Sequence, residues 1–311
     1  MLNLATYAVL WLLNIARLIV HPREVARALV DHLRGPGFFT LIAASGVLGS
    51  QCLMLSNNVP GALALWCVAL VSWLGITYAI FTVLTVKQQK PTLDRGINGG
   101  WLLAVVATQS IAVLSALLAP VVEPEWRLPM NFLALSMWLW GGMLYTWMMA
   151  LIFYRYLFFP LGVGDMTPPY WINMGAMAIS TLAGSLLIGN AVHASLLQSL
   201  LPFLEGVTVL YWATGSWWIP MLLLLGLRRY VQQRFPLRYG PLYWSVVFPL
   251  GMYAAGTHEM VLAMDLDFLA WLPRVFLYVA LAAWVAAFIG VMRHVAGLIP
   301  GYRGKPAPPE R

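Results

Sequence analysis

Nine apolar stretches, about 2–20, 36–57, 61–86, 97–119, 131–158, 169–190, 205–227, 241–264 and 268–292, divide the chain, and only short connectors join them. A helix needs roughly 20 apolar residues to cross the hydrocarbon core. Within that core every backbone polar group must be satisfied internally. Residues 1–300 are therefore expected to form a single all-α transmembrane domain of nine helices, followed by a short tail, GYRGKPAPPER, at 301–311. Charged residues make up 9% of the chain, against about 25% in soluble domains. A soluble fold carrying one anchor is excluded.

The net charge of +7 could point to nucleic acid, but the basic residues lie between apolar runs rather than in a patch. Sixteen fall on alternate connectors: Arg17, Arg23, Arg27 and Arg34; Lys87, Lys90 and Arg95; Arg155; Arg228, Arg229, Arg234 and Arg238; and Arg293, Arg303, Lys305 and Arg311. The other connectors hold only Arg127 and Arg274, beside Glu123, Glu125, Glu205, Asp265 and Asp267. The positive-inside rule then places the C-terminus in the cytoplasm and, with nine crossings, the N-terminus outside. No nucleic-acid partner is expected. The N-terminus shows no basic leader and no A-x-A site, so no cleavable signal peptide is expected either. Cys52 and Cys67 both lie in apolar runs and offer neither a disulfide framework nor metal spacing.

The runs alternate in character. The second, fourth, sixth and eighth are rich in small and hydroxyl residues, among them Gly46, Gly100, Gly175 and Gly251. The third, fifth, seventh and ninth carry bulky aromatics such as Trp73, Trp147, Trp217 and Trp284. Small residues let helices approach closely, and aromatics suit lipid or subunit contacts. The alternation suggests hairpins with one helix inside and one outside, around a narrow central pore suited to small solutes. Close packing without a pore is the alternative. Pro22 to Arg34 reads as an amphipathic surface helix with Val25, Leu29 and Leu33 on one stripe.

The stretch 241–264 is the most unusual. Pro249 interrupts it directly after Phe248, and Gly251, Ala254, Ala255 and Gly256 keep the following turns thin. Proline in mid-helix frees a carbonyl and lets the helix kink. Phe248 reads as a plug at that kink in a path lined by small residues, or else as ordinary core in a kinked packing helix.

Other constellations are weaker. His258-Glu259 is not a zinc-protease helix, because position 262 is Leu. The pair is a candidate proton relay or anion contact, or an interfacial pair. Gln109 and Asn173 could meet an anion or bond between helices. Thr167, ahead of Pro168 and Pro169, is a candidate cap for a helix whose positive end faces the basic side. No phosphate loop, catalytic triad or metal cluster is present, so neither enzymatic activity nor a cofactor is expected.

The phrases INGGWLLAVVATQS, PPYWINMGAMAIS and WSVVFPLGMYAAGTHE resemble segments of the tellurite-resistance/dicarboxylate transporter family, which includes the plant slow anion channels. The resemblance covers essentially the whole chain. It implies ten transmembrane helices in five hairpins, the odd-numbered ones around a pore, and a homotrimer with one pore per subunit. It also implies a pore-occluding phenylalanine, which falls on Phe248. YAVLWLLNIARLIVHP is similar to the family's second helix, so the chain is expected to lack the first. The function implied is passage of small anions, such as C4-dicarboxylate, tellurite or sulfite, across a bacterial inner membrane. A proton-coupled dicarboxylate carrier is the alternative within transport. An intramembrane enzyme or assembly factor without a pore is the alternative outside it.

Overall fold

The computed structural model describes residues 2–162, 164–236 and 239–298. The expected tail at 301–311, and Arg238 of the seventh connector, lie outside the described residues.

The chain is helical throughout: α1 (Leu2–Val20), α2 (Pro22–Leu29), α3 (Phe39–Ser56), α4 (Val59–Val86), α5 (Leu93–Gly96), α6 (Leu103–Leu118), α7 (Pro124–Phe158), α8 (Ile172–Asn190), α9 (Ser195–Ser199), α10 (Leu201–Leu227), α11 (Trp244–Ala263) and α12 (Trp271–Leu298). Among the described residues, eight helices are long and apolar enough to cross a membrane, not the nine expected. The remaining stretch, the eighth at 241–264, folds as α11, a 20-residue helix. At about 1.5 Å per residue it is as long as a bilayer core is thick. It falls outside the eight because Pro249, Thr257, His258 and Glu259 reduce its apolar character.

The alternation of small and bulky runs is realised as pairs. α3 packs on α4, α6 on α7, α8 on α10 and α11 on α12. The small-residue members then pack in file, α3 on α6, α6 on α8 and α8 on α11. Burial follows the same division. The apolar windows of α6 and α8 are each 83% buried, whereas those of α10 and α12 are 22% and 11% buried. No comparable packing closes α11 onto α3, so the file is open on one side. On α1, Tyr7 shares a hydrogen bond with Ser45 and Asn3 donates to Gln51, both on α3, but none of its apolar window is buried.

Local chemistry sets the joints. Asn57 adopts left-handed backbone (φ 49°) at the end of α3, and the Asn58 side chain accepts the Gly61 N–H to start α4. The surface helix expected over 22–34 stops at Leu29. Asp31 takes the N–H groups of both Leu33 and Arg34 at 2.9 Å, which competes with helical bonding. Val25 and Leu29 are therefore half-buried on α2, while Leu33 lies exposed beyond its end.

Candidate functional site

Each small-residue helix begins with a 3-10 turn: Gly35–Phe38 before α3, Gly99–Leu102 before α6, Pro168–Trp171 before α8 and Pro241–Tyr243 before α11. These four starts surround one cavity of about 620 Å³. Pro36 and Gly37, Asn98 and Gly100, Thr167 and Pro169, and Pro241 and Leu242 line it in turn. Among the described residues no charged side chain lines it. Its electrostatic character comes from the helix starts, where aligned peptide dipoles leave partial positive charge.

Most polar side chains in the wall are already engaged. Asn98 Oδ1 accepts the Gly100 N–H at 2.8 Å, Thr40 donates to the Gly37 carbonyl and Ser245 donates to the Leu242 carbonyl. Thr167 occupies the N-cap position, but its hydroxyl makes no capping bond, contrary to expectation. The prolines that follow it have no N–H to offer at the start of that turn.

Phe248 and Pro249 both line the cavity from α11. Pro249 is buried against α8, and a methyl group on Gly175 would lie 2.7 Å from its Cγ. Phe248, one position back and so about 100° around the helix, is half-buried. Having no N–H, Pro249 leaves the Ser245 carbonyl without its helical donor.

The other sequence-derived candidates separate into groups. Gly100 lines the cavity, and a methyl group on Gly251 would meet nothing within 4 Å. Gly46 instead sits against Ser110 of α6, 2.7 Å from where a Cβ would stand. Gln109 is buried and donates to the Trp138 carbonyl on α7 at 3.0 Å, with its own Oε1 unpartnered. Asn173 is buried too. It donates to the Tyr156 hydroxyl at 3.0 Å, and its backbone carbonyl accepts from Tyr145. His258 is exposed and Glu259 half-exposed towards the other end of α11, away from the cavity. Among the described residues no cluster of three or more His, Cys, Asp or Glu side chains could hold a metal ion.

Two buried arginines were not singled out by the sequence. Arg155, at the end of α7, donates to the Tyr170 hydroxyl and pairs with Asp165 at 3.4 Å. Arg229, beyond α10, donates to the Met166 carbonyl. Both grip the segment leading into α8. Charged residues in connectors look alike in sequence; the only local hint is the aromatic setting, Tyr154 and Tyr156 around the first and Tyr230 after the second. His32, beside the cavity rim at Leu33, has its imidazole pKa lowered by desolvation and then by the nearby Lys87 charge.

Comparison with known proteins gives the chain a family. Residues 1–292 match the family model described as voltage-dependent anion channel (SLAC1). An uncharacterized membrane protein of Mycobacterium tuberculosis is 39% identical over 158 residues, covering 50% of this chain and 79% of its own. An uncharacterized transporter of Methanocaldococcus jannaschii is 22% identical over 301 residues, covering 94% of this chain and 83% of its own. The family resemblance drawn from the sequence is thereby borne out, and with it membership of a group of channels and transporters rather than enzymes. The chain is a multi-pass membrane protein of the voltage-dependent anion channel (SLAC1) family.

Proposed function

We propose that the chain conducts small anions along the axis bordered by α3, α6, α8 and α11, with Phe248 as the gate. Family membership supports small-anion transport in general. The finer proposal rests on one observation: four helix starts converge on a cavity with neutral walls, and Phe248 stands in its lining. Positive helix ends attract an anion, and neutral walls in which the Thr40 and Ser245 hydroxyls already donate to backbone hold it weakly. Weak, distributed contact favours passage over retention. In this proposal all nine long helices cross the membrane, the basic end faces the cytoplasm, and the protein works as a homotrimer in the lipid bilayer. Gln109 and Asn173 hold the bundle together rather than meeting the anion. C4-dicarboxylate, tellurite and sulfite are the anions to try first. The test is flux into liposomes containing the purified protein, with chloride, nitrate, sulfite, malate and tellurite compared. Protein-dependent flux of at least one anion is expected, and none with folded protein rejects the proposal.

A second reading has one observation in its favour. Phe248, Gly251, Ala255 and His258 follow at i, i+3, i+7 and i+10, which is one face of α11, and Ala255 and His258 are exposed on it. A titratable imidazole on the face that carries the gate is what a proton-coupled dicarboxylate carrier would use, with Glu259 beside it. Uptake driven by an imposed pH gradient and abolished in His258→Gln would favour the carrier. Flux that follows the anion gradient alone, unaltered by that change, favours the channel.

A further inference from the structure

We infer that a second anion site, separate from the axial path, is built around Arg229 and shaped for an anionic amphiphile. α10 ends in a π-helical turn, Arg228–Gln232, in which the Gln233 N–H bonds to the Arg228 carbonyl at 3.0 Å. Such turns are rare and concentrate at functional sites. Arg228 is left exposed, while Arg229 is only 7% exposed. The guanidinium of Arg229 donates to the Met166 carbonyl and lies 4.1 Å from the Phe235 ring centroid. Its Nε is buried without a partner, and no described carboxylate pairs with it. A buried cation left without a counter-charge is costly, and a bound anion would supply that charge.

The surroundings select the kind of anion. Arg229 lines a cavity of about 420 Å³ between the start of α8 and the end of α10. Tyr230 and Tyr243 line it also, and their hydroxyls share one hydrogen bond of 2.9 Å. Two hydroxyls with one bond between them retain one O–H for a ligand oxygen. Most of the remaining wall is aliphatic, and Leu223 and Leu227 reach the outer surface of the helix. One cationic group beside an apolar wall at the membrane boundary fits a phosphate head on Arg229 and an acyl chain along Leu223 and Leu227. Thr167 lines this cavity and the axial one, so the head group would sit beside a wall of the path.

The full chain in phosphatidylcholine nanodiscs, titrated with phosphatidylglycerol or with inorganic phosphate, tests this. Thermal unfolding and lipid retained in native mass spectra are the readouts. Phosphatidylglycerol should raise the unfolding temperature saturably, and inorganic phosphate alone should not. Arg229→Gln should weaken the apparent lipid affinity by roughly tenfold, Arg229→Lys by less. Arg228→Gln, at the exposed neighbour, should change it by no more than about twofold. An unsaturable lipid effect in wild type overturns the site, as does equal weakening by Arg228→Gln. Protection by inorganic phosphate alone replaces the amphiphile with a free anion and overturns the lipid assignment. If Arg229→Gln does not fold, wild type, Arg229→Lys and Arg228→Gln carry the same comparison.

Discussion

Pro249 of α11 rests directly on Gly175 of α8, so close that one methyl group on the glycine would come within 2.7 Å of the proline ring. Gly256 repeats the contact one heptad along, 2.5 Å from the Ala178 carbonyl by the same measure. Small residues here let two backbones meet, and the proline is tolerated because a neighbouring helix covers it.

Gly175→Ala should therefore cost about 1–3 kcal/mol, the usual range for overpacking a tight contact. Gly251→Ala, which meets nothing within 4 Å, should be neutral or stabilising by up to about 1 kcal/mol through helix propensity. Unfolding midpoints of the two purified variants in one detergent check the contrast. Equal destabilisation by both would contradict the placement of Gly251 in open space.

Arg155 and Asp165 should respond unequally to substitution. The arginine side chain is 8% exposed and the aspartate 45%. Arg155→Leu removes both the ion pair and the contact to Tyr170, and should cost roughly 1–3 kcal/mol. Asp165→Asn leaves a hydrated side chain and should cost about 0–1 kcal/mol. Thermal unfolding gives the order, and the cleavage rate between 159 and 167 should rise more in the arginine variant.

The orientation can be read by thiol labelling in intact cells, after replacing Cys52 and Cys67 with Ala. Thiols introduced at Lys90 and Arg234 should be shielded from an impermeant reagent until the membrane is permeabilised. Thiols at Asn58 and Glu125 should react at once. Immediate reaction at Arg234→Cys would invert the proposed topology.

Much of the helix plan was legible because it follows from span length and loop chemistry. Every apolar run became a long helix. The faces of those helices were not legible. In a run such as 172–190 nearly every position is small or apolar, so no pattern tells a glycine that packs from one that lines a path. Gly46 and Gly175 meet neighbouring helices while Gly251 meets open space, a difference set by neighbours distant in sequence. The burial of Arg155 and Arg229 was hidden for a related reason. A basic residue in a connector reads as a topology signal whether it is hydrated or folded under the segment before α8. The cavity itself was legible only in part. Phe248 and Gly100 were marked, but the convergence of four helix starts needs the third dimension.

Anion flux per folded protein, measured in liposomes for wild type and Phe248→Ala, tests the central claim most directly. A gate predicts that removing the ring raises flux, with Phe248→Leu rising less, because one apolar side chain suffices to close a narrow path. Stability should fall by less than the roughly 3–5 kcal/mol of a fully buried Phe→Ala change, since Phe248 is only half-buried. Unchanged or lower flux from a well-folded Phe248→Ala protein would contradict the gate and leave Phe248 as a packing residue.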